Sequence, residues 1–126
     1  MAKIAICGYG VVGSGVAEVI EENADNIARN AAEDVSIKYI LDTREYPGDL
    51  FEKYIVHDFS IIENDPEVSI VIETIGGVRA AYEFTKRALL AGKSVVTSNK
   101  ELVATKGHEL IAIAKKNNLN YLFEAS

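Results

Sequence analysis

Apolar and polar positions alternate along this chain in two rhythms. Residues 3–8 (KIAICG) form a short, continuously apolar run that stops at a glycine. Residues 11–30 then place apolar side chains at helical spacing, with Val12, Val16, Val19, Ile20 and Ile27 as the stripe. Residues 35–42 (VSIKYILD) are rich in strand formers and end on an acid, and 43–49 (TREYPGD) follow as a loop with Pro47-Gly48 as its turn signal. Residues 58–68 (DFSIIENDPEV) predict a short helix ending before Pro66, with Ser60 as its N-cap and Glu63 completing a capping box. Residues 68–74 (VSIVIET) are a third strand, broken by Gly76-Gly77. An amphipathic helix over 79–92 stops at Gly92. Residues 93–98 (KSVVTS) predict a fourth strand, 108–118 (HELIAIAKKNN) a helix, and 119–125 (LNYLFEA) a fifth strand. Lys115 and Lys116 suit the negative end of that last helix.

Strands alternating with helices, several of the strands apolar throughout, predict an α/β fold. The sheet is doubly wound and mostly parallel, of the Rossmann dinucleotide-binding type, with both faces covered and right-handed crossovers. At 126 residues, 48% hydrophobic and 25% charged, residues 1–126 make one globular domain. The net charge of -6 argues against nucleic-acid or anionic-membrane partners, which call for clustered Lys and Arg. No apolar stretch has the length of a membrane span, and the N-terminus lacks a signal-peptide core, so a cytoplasmic protein is expected. Cys7, the lone cysteine, lies in an apolar strand and reads as a buried inert thiol. His57 and His108 have no ligand-spaced partners and read as surface residues. The acidic stretch 21–26 (EENADN) reads as a solvated helix face.

Chemistry enters with residues 8–13 (GYGVVG), a Gly8-x-Gly10-x-x-Gly13 turn around Tyr9, Val11 and Val12. The pattern is informative here because a strand precedes it and a helix follows. Gly8 allows the tight turn, Gly10 lets a pyrophosphate approach the backbone, and Gly13 lets the helix pack closely. The helix start then meets the anion with unpaired N–H groups. Asp42 ends the second strand, where an acid accepts hydrogen bonds from the adenosine ribose and favours NAD, although it lies farther from Gly13 than the roughly 20 residues usual. Arg44, two residues on, suits the 2'-phosphate of NADP. The two cues point opposite ways, and the cofactor is NAD or NADP.

Ligands of open α/β sheets sit beyond the carboxyl ends of the strands. Two stretches fall there: Thr74-Ile75-Gly76-Gly77 and Thr97-Ser98-Asn99-Lys100. Gly76 and Gly77 allow close approach of a nicotinamide ribose. Lys100 opposes the dipole of any helix it starts, yet it stands where it can orient a carbonyl or move a proton during hydride transfer.

These stretches resemble the N-terminal nucleotide-binding domain of the homoserine dehydrogenases, from IAICGYGVVGSGVAEVI through DPEVSIVIETIGG and ALLAGKSVVTSNKELVATKGHEL to LNYLFEAS. AGKSVVTSNKELVA is the most specific part. The resemblance implies reversible reduction of L-aspartate 4-semialdehyde to L-homoserine with NAD(P)H, on the route to threonine, methionine and isoleucine. It implies that Gly8, Gly10 and Gly13 hold the pyrophosphate and that Thr74, Ile75 and Gly76, with Thr97 and Ser98 nearby, line the nicotinamide side. Lys100 then takes part in substrate positioning and proton transfer, and Glu124 lies beside a monovalent-cation (Na+) site. It also implies a second domain after FEAS, with the homodimer interface, most substrate contacts and further catalytic Asp and Lys residues. The chain alone is then expected to bind NAD(P)(H) without turnover. Many members carry a basic residue where this chain has Leu41, a departure that bears on the choice between NAD and NADP. Two other readings stay open: a different NAD(P)-dependent enzyme, such as one resembling aspartate dehydrogenase, and a non-catalytic nucleotide-sensing module.

Overall fold

The computed structural model describes residues 2–30 and 35–124. Its strands are β1 (Ala2–Cys7), β2 (Val35–Leu41), β3 (Ile55–Val56), β4 (Val68–Glu73), β5 (Ser94–Thr97) and β6 (Tyr121–Phe123). Its helices are α1 (Val11–Asn30), α2 (Phe59–Glu63), α3 (Arg79–Leu90) and α4 (Lys100–Lys116). All six strands pair in parallel in the order β3-β2-β1-β4-β5-β6. The expected doubly wound α/β sheet is therefore present, with one strand more than the apolar pattern announced. β3 is only two residues long, too short to show a period, and it is a strand because it pairs with Ile40 and Leu41.

The apolar run of β1 divides by the two-residue period of a strand. Ile4 and Ile6 pack on one face with Ala17, Ile37, Ile40 and Phe51. Ala5 and Cys7 pack on the other with Val71, Leu89, Val95, Leu102 and Leu110. Cys7 is fully buried, as expected, and burial first and the nearby Glu73 second raise its pKa.

Four local expectations change. On α1 the buried side is Gly13, Val16, Ala17 and Ile20, an i, i+3, i+4, i+7 row, while Val12 and Val19 are exposed. The helix rotates so that its small residues, Gly13 and Ala17, meet the sheet. The side chains of Ile27 and of residues 22–26 in the acidic stretch lie outside the described residues. α2 is capped by Asp58, whose carboxylate accepts from the Ser60 N–H at 2.9 Å, so Ser60 is inside the helix. Glu63 accepts from Arg87 at 2.6 Å instead of closing a capping box. Finally, α4 starts eight residues before His108. The Asn99 side chain accepts from the Leu102 N–H at 2.9 Å and so caps the helix at Lys100. Gly107, which obscures the pattern in sequence, is buried.

Lys93, immediately before β5, is 2% exposed. Its ammonium donates to the carbonyls of Asp65 at 2.7 Å and Val68 at 2.9 Å, which ties the turn after α2 to the sheet. Removing the donor leaves two carbonyls without it. Lys93→Met is expected to lower unfolding stability by about 2 kcal/mol, read as a shift in the urea midpoint at unchanged slope.

Candidate functional site

Strand order reverses at β1, which has β2 on one side and β4 on the other. A cleft of about 510 Å³ opens at the carboxyl ends of these strands. Its lining includes Gly8, Tyr9 and Gly10 from the glycine turn, Asp42, Thr43 and Arg44 after β2, His57 after β3, and Thr74, Ile75 and Gly76 after β4.

The three glycines differ in what they do. Gly8 has φ +99°, and its N–H donates to the Leu41 carbonyl at 2.7 Å. A Cβ on Gly13 would lie 1.9 Å from the Gly8 carbonyl oxygen, so only glycine lets α1 sit against the turn. A Cβ on Gly10 would meet no protein atom within 4 Å, and the same holds for Gly76. Packing therefore demands glycine at 8 and 13, whereas at 10 and 76 the missing side chain leaves room in the cleft. The Thr74 hydroxyl faces the carbonyls of Cys7 and Gly8 at 2.9 and 3.0 Å and stitches the β4 turn to the glycine turn.

Asp42 is the fixed acid of the site. One carboxylate oxygen accepts from the Tyr9 N–H at 2.9 Å and the other from the Arg44 N–H at 2.9 Å. Burial raises its pKa, but these backbone donors, with Arg44 and Tyr46, outweigh burial and hold it below the usual carboxylate value. The Arg44 Nε stands 3.4 Å from Asp42, and the guanidinium lies over the Tyr46 ring. The Tyr46 hydroxyl donates to Asp42 at 3.2 Å, and its ring meets Tyr9 edge-on at 4.8 Å. Tyr9 in turn donates to Asp49 at 2.7 Å. The loop after β2 is thus latched onto the glycine turn.

Lys100 is exposed on the first turn of α4 and does not line the cleft. Ser98 is part-buried, with its N–H donating to the Glu73 carbonyl at 3.2 Å. Thr97 is fully buried, and its hydroxyl donates to Glu73 at 2.5 Å. Val11 and Val12 are exposed at the start of α1, whose first N–H groups have no partner within the helix. Glu124 is exposed after β6, its N–H donating to the Thr97 carbonyl at 2.9 Å. Among the described residues no three His, Cys, Asp or Glu side chains converge as metal ligands.

Sequence reasoning missed Tyr46, Asn99, Glu73 and His57. His108 is exposed as expected, and so is His57, yet His57 lines the cleft. Its Nδ1 lies 2.7 Å from the Asp42 carbonyl oxygen and its Nε2 2.8 Å from Glu45. The Asp42 carbonyl, and after it Glu45, hold the His57 pKa above its ordinary value against the opposing effect of desolvation. No spacing rule joins residue 57 to residue 42; the pairing of β3 with β2 does.

A glycine turn between strand and helix, a cleft at the switch point and a fixed acid at the end of β2 define a Rossmann-type dinucleotide-binding domain. The chain belongs to the homoserine dehydrogenase family: residues 8–124 match the family model described as "Homoserine dehydrogenase, NAD binding domain". It is 38% identical over 125 residues to homoserine dehydrogenase of Pseudomonas aeruginosa and 36% identical over 127 residues to that of Bacillus subtilis. Each alignment covers 98% of this chain and 29% of the relative, so the chain spans less than a third of these proteins. The crystal structure of S. aureus homoserine dehydrogenase superposes with a TM-score of 0.90 at 34% identity, over 98% of this chain and 32% of that one. The Thiobacillus denitrificans homoserine dehydrogenase superposes with a TM-score of 0.85 at 32% identity, over 98% and 29%. The alignments run from the first strand to the last, so the family supports the NAD-binding domain reading over a sensing module or an enzyme of another family. No helix among the described residues is long and apolar enough to cross a membrane.

The contrast among the glycines yields a paired prediction. Gly10→Ala is expected to fold normally, at a cost below about 1 kcal/mol, and to lose NADH binding because its methyl fills the room left for the ligand. Gly13→Ala is expected to lower both stability and binding. Thermal melts and NADH fluorescence titrations on the two variants check this.

Proposed function

We propose that this domain holds NAD(P)(H) for a homoserine dehydrogenase, the enzyme interconverting L-homoserine and L-aspartate 4-semialdehyde. The observation that carries the reading is the pair of cleft glycines, Gly10 and Gly76, whose absent side chains serve no packing purpose. The pyrophosphate lies against Gly8–Gly13 and the first N–H groups of α1, including those of Val11 and Val12. The nicotinamide side lies along Thr74, Ile75 and Gly76, with Thr97 and Ser98 behind them. When bound, the nicotinamide supplies or accepts the hydride. Lys100 orients the substrate oxygen and moves its proton. Glu124 contributes one carboxylate to a monovalent cation in the longer protein. Dimer contacts and most substrate contacts belong to the part of the relatives that this chain does not span, and the protein works in the cytoplasm.

The wall that reads the adenosine ribose suits either cofactor. Asp42 accepts from ribose hydroxyls while its other partners keep it ionised. Arg44, 67% exposed at its side chain, is free to turn from Asp42 towards a 2'-phosphate. Titrating the chain with NADH and NADPH, followed by reduced-nicotinamide fluorescence, tests the reading. Saturable binding of at least one is expected, and binding of neither overturns it. Asp42→Ala is expected to weaken NADH about tenfold, the equivalent of one charge-assisted hydrogen bond, while Arg44→Ala weakens NADPH selectively.

Lys100 is separable from cofactor binding, because it stands outside the cleft lining. In the longer protein carrying this domain, Lys100→Met is expected to lower kcat by at least about 100-fold. NADH affinity, read by the same fluorescence titration, is expected to stay within about twofold. A loss of affinity equal to the loss of turnover would place Lys100 in the cofactor site instead.

A further inference from the structure

The end of β4 carries a carboxyl group that the chemistry above does not use. Glu73 is 0% exposed, the one fully buried acid among the described residues. A buried carboxyl is costly unless its oxygens are bonded. One oxygen accepts from the Ile75 N–H at 2.6 Å, and the other accepts from the Thr97 hydroxyl at 2.5 Å. The Thr97 oxygen in turn accepts from the Asn99 N–H at 3.0 Å. The Asn99 side-chain amide donates to the carbonyls of Ile75, at 2.9 Å, and Gly77. The bonds therefore close a ring: from the turn after β4, through Glu73 to Thr97, on to Asn99, and back to the turn. Asn99 also caps α4, whose first residue is Lys100. Burial pushes the Glu73 pKa up, and the bonds from Thr97 and Ile75 hold it back.

We propose that Glu73 is a positioning residue: its buried carboxyl group locks the turn over 74–77 to the start of α4, and so fixes the nicotinamide wall relative to Lys100. The proposal rests on the nicotinamide reading of that turn. The Ile75 N–H and the Thr97 hydroxyl are both donors to Glu73, and a carboxylate accepts from two donors at once. An apolar residue of similar size would leave the Ile75 N–H and the Thr97 hydroxyl without those acceptors. Glutamine keeps the ring if the Thr97 hydroxyl accepts from it. The adenosine half of the cleft, Gly8–Gly10 and Asp42, accepts no hydrogen bond from Glu73 and meets the braced turn only through the Thr74 hydroxyl and the Ile75 side chain, so it is expected to depend on Glu73 far less.

That division gives the test. NADH spans both halves of the cleft, whereas ADP-ribose lacks the nicotinamide. NADH is titrated by fluorescence and ADP-ribose by calorimetry, against wild type, Glu73→Leu, Glu73→Gln and Thr97→Val. Glu73→Leu is expected to weaken NADH at least about tenfold and leave ADP-ribose within about twofold. Glu73→Gln restores most of the NADH affinity, and Thr97→Val shows the same selective loss at about threefold. Equal loss of both ligands, no loss of either, or failure of glutamine to restore NADH overturns the proposal. If Glu73→Leu does not fold, Thr97→Val decides by the same comparison. Wild type that binds neither ligand sinks the dinucleotide reading, and the proposal falls with it. Wild type that binds both, with a Glu73→Leu variant that also binds both normally, sinks the proposal alone.

Discussion

The contact between Gly13 and the Gly8 carbonyl is the constraint on which this domain turns. A Cβ at residue 13 would overlap the carbonyl oxygen at 1.9 Å, so the helix sits on the strand end with nothing between the two backbones. That approach sets the start of α1 directly after the glycine turn that lines the cleft. It also puts the small residues of α1 against the sheet and turns Val12 and Val19 out to solvent. The Thr74 hydroxyl extends the constraint to the next strand by bonding towards the carbonyls on either side of the turn. The glycines divide the work: those at 8 and 13 bring the two backbones together, and the one at 10 leaves room at the turn.

The two halves of the cleft are held by different physics. The side after β2, proposed above for the adenosine, is latched by its loop: Asp42 gathers N–H groups from the glycine turn and its own loop, and Tyr9 and Tyr46 close edge-on behind it. The Asp42 side chain is 8% exposed, and its charge is balanced by these donors and by Arg44. The side at the end of β4, proposed above for the nicotinamide, is braced from beneath by a buried ring of hydrogen bonds through Glu73, Thr97 and Asn99. Partners of this kind act more strongly away from water and cost more when one is missing.

Much of this was legible in the chain. The alternation of strands and helices, the glycine turn, Asp42 and the TSNK stretch depend on local pattern, and local pattern is what a sequence displays. Three things were hidden. β3 exists by pairing alone. The true start of α4 was masked by Gly107, which interrupts the helical pattern ahead of His108, though Asn99 before Lys100 is a residue type that caps helices. Ser60 and Asp58 are both good capping types, and Asp58 holds the position, its carboxylate accepting from the Ser60 N–H while Phe59 is buried in the core.

The sequence by itself determined the class of fold, the place of the phosphate turn and the residue types at the strand ends. These follow from hydrophobic period and from backbone conformations that few residues adopt. Tertiary structure alone decided which of those residues share a wall. It set Thr97 beneath the site and not in it, brought His57 beside Asp42, and made Glu73 the hub between two loops. The reason is the register of parallel strands: Cys7, Glu73 and Thr97 become neighbours only when β1, β4 and β5 align, across 66 and then 24 residues of chain.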